Sequence, residues 1–387
     1  QSMNQETLKL IKRDNLTNEQ YIEFVKELEK RGKSIGGETI IPLPNETKET
    51  FMAGLNQLLD AATPQRFAVF QTLILSNSEM GEGKSIQEYD MKKKYRQHWG
   101  FMGYIHGKFV CETERVVIST STMSTEEVCE GLVYSMLLDA LLRFEPVAEI
   151  FRYLDSKAVQ RSKLTTYMAD SLDKAPPGII RCVEEFKSSF LDGMFDSEEE
   201  VIQYMEKYCD DYKLGNKGGG NLKFSNKLWI EYFESMMDWL FSCLQNILDN
   251  SKETQEELQA LKSYLLTVFI DRKDEGAAKP PVITKVFGFD VKTWAEIKDV
   301  VPLNKFRGKT SYAFKQTELS KVDKITQWKS FGFKRKKGEN YSLSPLYTRL
   351  YLVKLRRIVE TVSSECQTSM MYEKNSYREW MGKLTLN

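Results

Sequence analysis

Residues 34–47 read Ser34-Ile35-Gly36-Gly37-Glu38-Thr39-Ile40-Ile41-Pro42-Leu43-Pro44-Asn45-Glu46-Thr47. The run from Ser34 to Ile41 is short and β-branched, and Pro42 and Pro44 end it, as they would end a buried parallel strand. Upstream, Thr17 with Gln20 three residues later forms a capping-box pattern. Tyr21, Ile22, Val25 and Leu28 then recur at helical spacing until Gly32 stops the helix. Downstream, Asn45 is expected to open a second helix whose buried stripe is Phe51, Leu55, Leu58 and Leu59. Arg66 to Leu75 is the next apolar strand. Helix, strand, helix, strand at this spacing is a βα repeat, and its crossovers make the strands parallel. Ligands of such sheets sit at the carboxyl ends of the strands.

Past Asn77 the pattern changes. A polar, basic passage from Lys84 to Gln97 leads into the aromatic run Trp99-Gly100-Phe101-Met102-Gly103-Tyr104, and Arg115 to Ser119 reads as a strand. Ser124 and Glu127 form a second capping box, after which Val128, Leu132, Met136, Leu137, Ala140 and Leu141 fall on one helical face. Helices are expected to about residue 270, broken at Pro176-Pro177 and at Gly218-Gly219-Gly220. Val282 to Phe287 is a candidate strand, and the last forty residues read as helix with a frayed end. The organisation expected is therefore three units, residues 1–82, 83–272 and 273–387, the last a mixed segment with a helical tail. A chain of 387 residues exceeds the usual size of one core.

Composition excludes several classes. With 55 basic and 55 acidic side chains there is no global pull toward nucleic acid or an anionic membrane. No apolar run approaches the roughly 18–20 residues needed to span a bilayer. The six cysteines lack the short spacings of zinc or iron–sulfur sites and read as scattered reduced thiols of a cytoplasmic protein. Ser78-Glu79-Met80-Gly81-Glu82-Gly83-Lys84-Ser85 imitates a phosphate-binding loop. Its first position holds Ser78 instead of glycine, and Glu79 and Glu82 put negative charge where phosphate would lie. Gly215 to Gly220 reads as an inter-helix loop, and Trp328 to Lys337 as a solvated basic turn instead of a nucleic-acid contact. His98 and His106, the only histidines, are eight apart and make no metal pair by themselves.

Two stretches carry a family resemblance. Gln1-Ser2-Met3 followed by Asn4-Gln5-Glu6-Thr7-Leu8-Lys9-Leu10-Ile11-Lys12-Arg13, and then Glu38 to Thr47, resemble the second half of a radical SAM barrel. In that family the fourth strand ends in a Gln-Ser-like pair followed by N-x-E-x-L-x-x-I-x-R, and the fifth reads acid-x-I-x-G-L-P-G-E-T. The glycines usual in the fifth-strand turn are replaced here by Pro42 and Asn45. The run Cys111 to Glu127 is similar to the helical C-terminal extension of radical SAM enzymes that carry a cobalamin-binding domain. The fold expected is α/β, a partial (β/α) barrel forming its C-terminal half, followed by a mainly helical extension.

The resemblance implies chemistry as well as fold. Family members hold a four-iron four-sulfur cluster on a CxxxCxxC loop, and this chain has no such triplet. Because Gln1 aligns with the end of the fourth strand, the expectation is that the cobalamin domain and the first half of the barrel are missing, and that this chain alone is inactive. S-adenosylmethionine (SAM) is the implied cofactor; cluster and cobalamin are expected only in the full-length protein. Gln1 would bond the ribose or the amino-acid moiety of SAM, Arg13 its carboxylate, and Glu38 the ribose hydroxyls, while Leu75 to Asn77 would offer backbone groups to adenine. No residue is singled out as catalytic. The activity implied is 5′-deoxyadenosyl radical chemistry, such as methyl transfer to a carbohydrate or natural-product intermediate, with a reductant such as flavodoxin or ferredoxin as partner. The other function carried is a non-catalytic helical protein-interaction module with a relic half-barrel.

Overall fold

The computed structural model describes residues 2–13, 16–31, 36–61, 66–142, 147–213, 220–269, 282–315, 356–366 and 372. The first helix, α1 (Gln5–Leu10), is capped by Asn4, whose side chain accepts from the amides of Glu6 and Thr7. In front of α2 (Asn18–Lys30) the expected capping box is present. Thr17 N donates to Gln20 Oε1 at 3.0 Å and Gln20 N to Thr17 Oγ1 at 3.2 Å. Then come β1 (Gly36–Ile41), α3 (Lys48–Ala61) and β2 (Arg66–Gln71). The two strands pair in parallel, from Gly36 opposite Arg66 to Ile41 opposite Gln71, as the βα repeat predicts.

That pair is the part of the fold a (β/α) barrel shares with any βαβ unit. Past Gln71 the sheet turns antiparallel: Val117 N donates to Thr72 O at 2.8 Å and Ile74 N to Arg115 O at 2.9 Å. The sheets are small, and none closes into a barrel among the described residues. Asn45 does not cap α3. Thr47 and Thr50 exchange the capping bonds, because Asn45 lies earlier, in a turn with φ 61°.

The polar, basic passage opens the unit expected to be mainly helical from residue 83, yet its second half is strand. It forms α4 (Gly83–Glu88) and a long hairpin, β3 (Lys92–Ile105) and β4 (Lys108–Ser119). His106 and Gly107 turn it with positive φ at both positions, the backbone a two-residue hairpin turn requires.

The next helix, α5 (Thr125–Leu142), departs from the expected one-sided stripe: every residue from Gly131 to Leu142 is buried. It is the central post of a helical cluster made by α6 (Ala148–Ser156), α7 (Arg161–Asp170), α8 (Pro177–Ser189) and, beyond the short strand β5 (Met194–Phe195) and α9 (Glu198–Lys213), by α10 (Gly220–Glu231), α11 (Phe233–Ile247) and α12 (Lys252–Val268). Gly131 lets β1 dock, since a Cβ there would lie 2.6 Å from Ile41 Cδ1. The helix α10 seals the other side with Trp229 Nε1 donating to Ala140 O at 2.7 Å.

A second three-stranded antiparallel sheet follows, β6 (Ile283–Phe289), then after α13 (Val291–Glu296) β7 (Arg307–Lys315) and β8 (Ile358–Ser364). It packs aromatic side chains Phe287, Tyr312 and Phe314 on Tyr264 of α12. The strand β8 corrects the expectation of helix throughout the last forty residues. Ile358, Val359, Thr361 and Val362 are β-branched, and β7 supplies the pairing edge. Two ion pairs with buried carboxylates hold distant segments of the chain together. Arg356 holds Glu149 with both guanidinium nitrogens, and Glu257, fully buried, meets Lys157 Nζ and Tyr153 Oη, each at 2.7 Å. The Gly215–Gly219 loop and the basic run Trp328–Lys337 lie outside the described residues. No described helix is long and apolar enough to cross a membrane.

Candidate functional site

At the carboxyl end of β1 the chain makes a tight corner. The Ile41–Pro42 peptide is cis, Leu43 is buried, and Asn45 takes a left-handed backbone. Glu46 N donates to Leu43 O, and Glu46 O accepts from Thr122 Oγ1 at 2.8 Å, which fastens the corner to the loop before α5. The N-terminal segment closes over it. Ser2 Oγ donates to Glu46 Oε1 at 2.5 Å, while Met3 packs against the bare Cα of Gly54. Glu46 is only 1 % exposed, and its Oε2 has no hydrogen-bond partner among the described residues. Burial pushes its carboxyl up to about 7, against the lowering effect of the Ser2 bond.

The loop after β2 is equally constrained. Leu75 O accepts from both Ser78 N and Ser78 Oγ, and Ser78 Oγ in turn accepts from Gly81 N at 3.1 Å. A Cβ on Gly81 would fall 2.2 Å from Leu75 O, so only glycine fits. Asn77 has φ 63°. Lys12, at φ 54°, reaches this loop from the end of α1 and pairs with Glu79 at 2.5 Å. The phosphate-loop mimic is thus a short 3₁₀ turn and α4, with Glu79 already committed to a lysine.

Residues 2–13 therefore run across the ends of both parallel strands, Ser2 at the first loop and Lys12 at the second. Among the residues named from the sequence, Gln1 lies outside the described residues, next to Ser2. Arg13 follows Lys12 and is exposed, its amide donating to Leu8 O. Leu75 and Asn77 are in the second loop, both exposed, but the Leu75 carbonyl is already taken by Ser78. Glu38 stands apart. It pairs with Ala68 three residues before the end of β1, about 10 Å short of the corner at strand rise, and on the opposite face from Thr39 and Ile41.

The sequence context of Glu46 assigns it no role. Its signal in the sequence is an acid two residues past the apolar Leu43-Pro44 pair, a place where a carboxyl is hard to keep in water. A second polar cluster also went unread. Glu114 accepts from Arg96 Nε and lies 2.6 Å from His98 Nδ1, while Arg96 Nη1 reaches Gln71 Oε1 at 2.5 Å. Arg115 to Ser76, at 3.1 Å, ties the hairpin to the loop after β2. His98 thus meets a carboxylate. Among the described residues no three His, Cys, Asp or Glu side chains come together as metal ligands would. The chain matches no protein-family model, and no curated protein matches it.

Proposed function

We propose that residues 1–82 are the C-terminal half of a radical SAM barrel and that the chain works within a cobalamin-dependent radical SAM enzyme, its helical part contacting a small-molecule substrate. The observation that supports this reading best is backbone strain gathered at one end of the parallel pair. Lys12, Asn45 and Asn77 are three of the six non-glycine residues with positive φ among those described, and all three lie in the segments that meet there. Such conformations cost free energy and concentrate at sites that need a fixed backbone. Asn45 also takes the left-handed turn that the family pattern fills with glycine, a conformation asparagine tolerates better than most residues.

SAM would supply a 5′-deoxyadenosyl radical on one-electron cleavage. The chain's share is positioning. Arg13, exposed next to Lys12 at the loop after β2, suits a carboxylate, and the open side of Leu75 suits an apolar ring face. Glu38, set back along β1, would reach only the more deeply placed end of the ligand. The cluster does not fit this chain, which has no CxxxCxxC run, so no step is derived through it. Cobalamin and the reductant, flavodoxin or ferredoxin, belong to the same proposal and rest on the resemblance. The coding sequence upstream of Gln1 tests it most directly. A CxxxCxxC loop preceded by a cobalamin-binding domain is expected, and the protein containing both should release 5′-deoxyadenosine when reconstituted anaerobically. An in-frame stop directly before Gln1 would reject the enzyme and leave the interaction module.

A further inference from the structure

Spacing scatters the six cysteines along the chain, but the fold brings two of them to one small cluster. In α9, Val201, Met205 and Cys209 recur every four residues and make a buried stripe. The stripe lies on the β3–β4 hairpin, where Phe109 completes the buried group and Cys111 packs against it. Phe109 and Cys111 are two apart on β4 and so share a face. This group is separate from the main helical core, and four buried residues are few to hold a helix on a hairpin. Cores that small are where proteins use cross-links.

The register sets the two thiols at the same level. Phe195 of β5 pairs with Tyr95, which in turn faces Arg115, so α9 sets out from that end of the hairpin. From Arg115 back to Cys111 is about 13 Å along β4, toward the hairpin turn. From Val201 to Cys209 is about 12 Å along the helix, and Phe109, beyond Cys111, belongs to the same cluster. The thiols also sense each other: burial first, then Cys209 and Glu112, push the Cys111 thiol up. Both are free thiols, Cys111 half-buried and Cys209 only 4 % exposed. Cys111 Sγ donates to Glu112 O across 3.6 Å, a weak bond to give up. Just before Cys209, Tyr208 leaves helical geometry at φ −113° and ψ 17°, which sets the turn carrying Cys209 apart from the rest of α9.

We propose that Cys111 and Cys209 are a redox-active pair that closes to a disulfide by exchange with a small disulfide such as oxidised glutathione, clasping the end of α9 to the hairpin. Cys111, the thiol that solvent reaches, attacks as its thiolate one sulfur of glutathione disulfide, and a glutathione thiolate leaves and takes up a proton. The Cys209 thiolate then attacks the Cys111 sulfur of the mixed disulfide and expels the second glutathione. Two protein thiols are oxidised, and one glutathione disulfide is reduced to two thiols that carry the two protons. The clasp stands without the SAM reading, since neither cysteine lies in residues 1–82.

Incubation of the whole chain with oxidised glutathione at about pH 8.5, where a raised thiol still ionises in part, tests it, followed by alkylation in denaturant and peptide mapping without reductant. The peptide containing Cys111 should be joined to the one containing Cys209, and dithiothreitol should separate them. Cys209→Ser should stop at the glutathione adduct on Cys111, and Cys111→Ser should leave Cys209 unmodified. The first result needs no variant, so it stands even where a serine change unfolds the chain. Amide exchange in α9 should slow on oxidation and recover on reduction. A wild-type chain left with glutathione on Cys111 and Cys209 still open to alkylation would overturn the proposal. So would a link between any other two cysteines, or no change at Cys111. A closed disulfide that leaves exchange in α9 unaltered would overturn the clasp.

Discussion

Replacing Glu46 by glutamine should remove a definite pH dependence from the stability of the protein. Glu46 is buried under Ser2 at the corner after β1, and burial raises its carboxyl from an ordinary 4.5 to about 7. Between those two values the folded chain keeps a proton that the unfolded chain has already lost. Stability therefore falls as pH rises through this window, and it is fully present only below about 4.5. A displacement of this size corresponds to roughly 3 kcal/mol, of which about 2.5 kcal/mol should be lost between pH 5 and pH 8.

Glu46→Gln has no proton to lose. The glutamine carbonyl can still accept from Ser2 Oγ, and its amide is left unpaired where Oε2 was, at a cost that does not vary with pH. Urea unfolding of both proteins at pH 5 and pH 8, followed by tryptophan fluorescence, isolates the effect. The wild-type loss between the two pH values should exceed the variant's by about 2.5 kcal/mol, whatever the constant cost of the amide. Equal losses in the two proteins would refute the reasoning, because they would mean that Glu46 is already solvated or already ionised in the fold.

Other perturbations probe the packing and the proposed site. Gly131→Ala would drive a methyl to 2.6 Å from Ile41 Cδ1 and should destabilise by about 1–3 kcal/mol in the same urea assay; an unchanged midpoint would show that β1 does not dock there. Lys157→Met leaves Glu257 buried without its cation and should cost about 3–5 kcal/mol, most of it recovered by adding Glu257→Gln; a double variant no better than the single would discount the ion pair. The chain alone should assemble no cluster and form no 5′-deoxyadenosine after anaerobic reconstitution, and product above the no-enzyme background would sink that expectation. If the proposed radical SAM enzyme exists in full length, Arg13→Ala in it should weaken SAM binding by roughly 1.5–3 kcal/mol with the cluster's absorbance unchanged; loss of the cluster as well would make Arg13 structural.

The parallel pair and both capping boxes were readable from sequence because each is decided within a few residues. A β-branched run closed by prolines has little else to become, and Thr17 with Gln20 or Ser124 with Glu127 satisfy their amides locally. What failed were elements whose stability comes from a distant partner. Strand β3 opens Lys92-Lys93-Lys94 and looks like loop until β4 supplies Glu114 opposite Arg96. Strand β8 lies more than forty residues from β7, its pairing edge. The stripe drawn on α5 was right in its members, but Val133, Tyr134 and Leu138 fill the faces it left to water, and burial all round is a property of the neighbours.

The candidate site divides along the same line. Residue identity told which loops follow the strands, and the structure brings residues 2–13 across both of them. Identity could not tell that Glu46 would be enclosed, because Ser2, which bonds its carboxyl, and Thr122, which bonds its backbone carbonyl, lie 44 and 76 residues away. The turn at Asn45 shows how the two kinds of information combine. A missing glycine takes away both a backbone free to adopt positive φ and a bare Cα, and an asparagine can restore only the first. Here the turn keeps φ 61° and asparagine adopts it. Gly81, by contrast, has a carbonyl 2.2 Å from where its Cβ would be, and no side chain can substitute there. One loop is therefore open to a second residue type and the other is not, so of the two loops at this end of the sheet it is the one after β2 whose backbone the chain is least free to change.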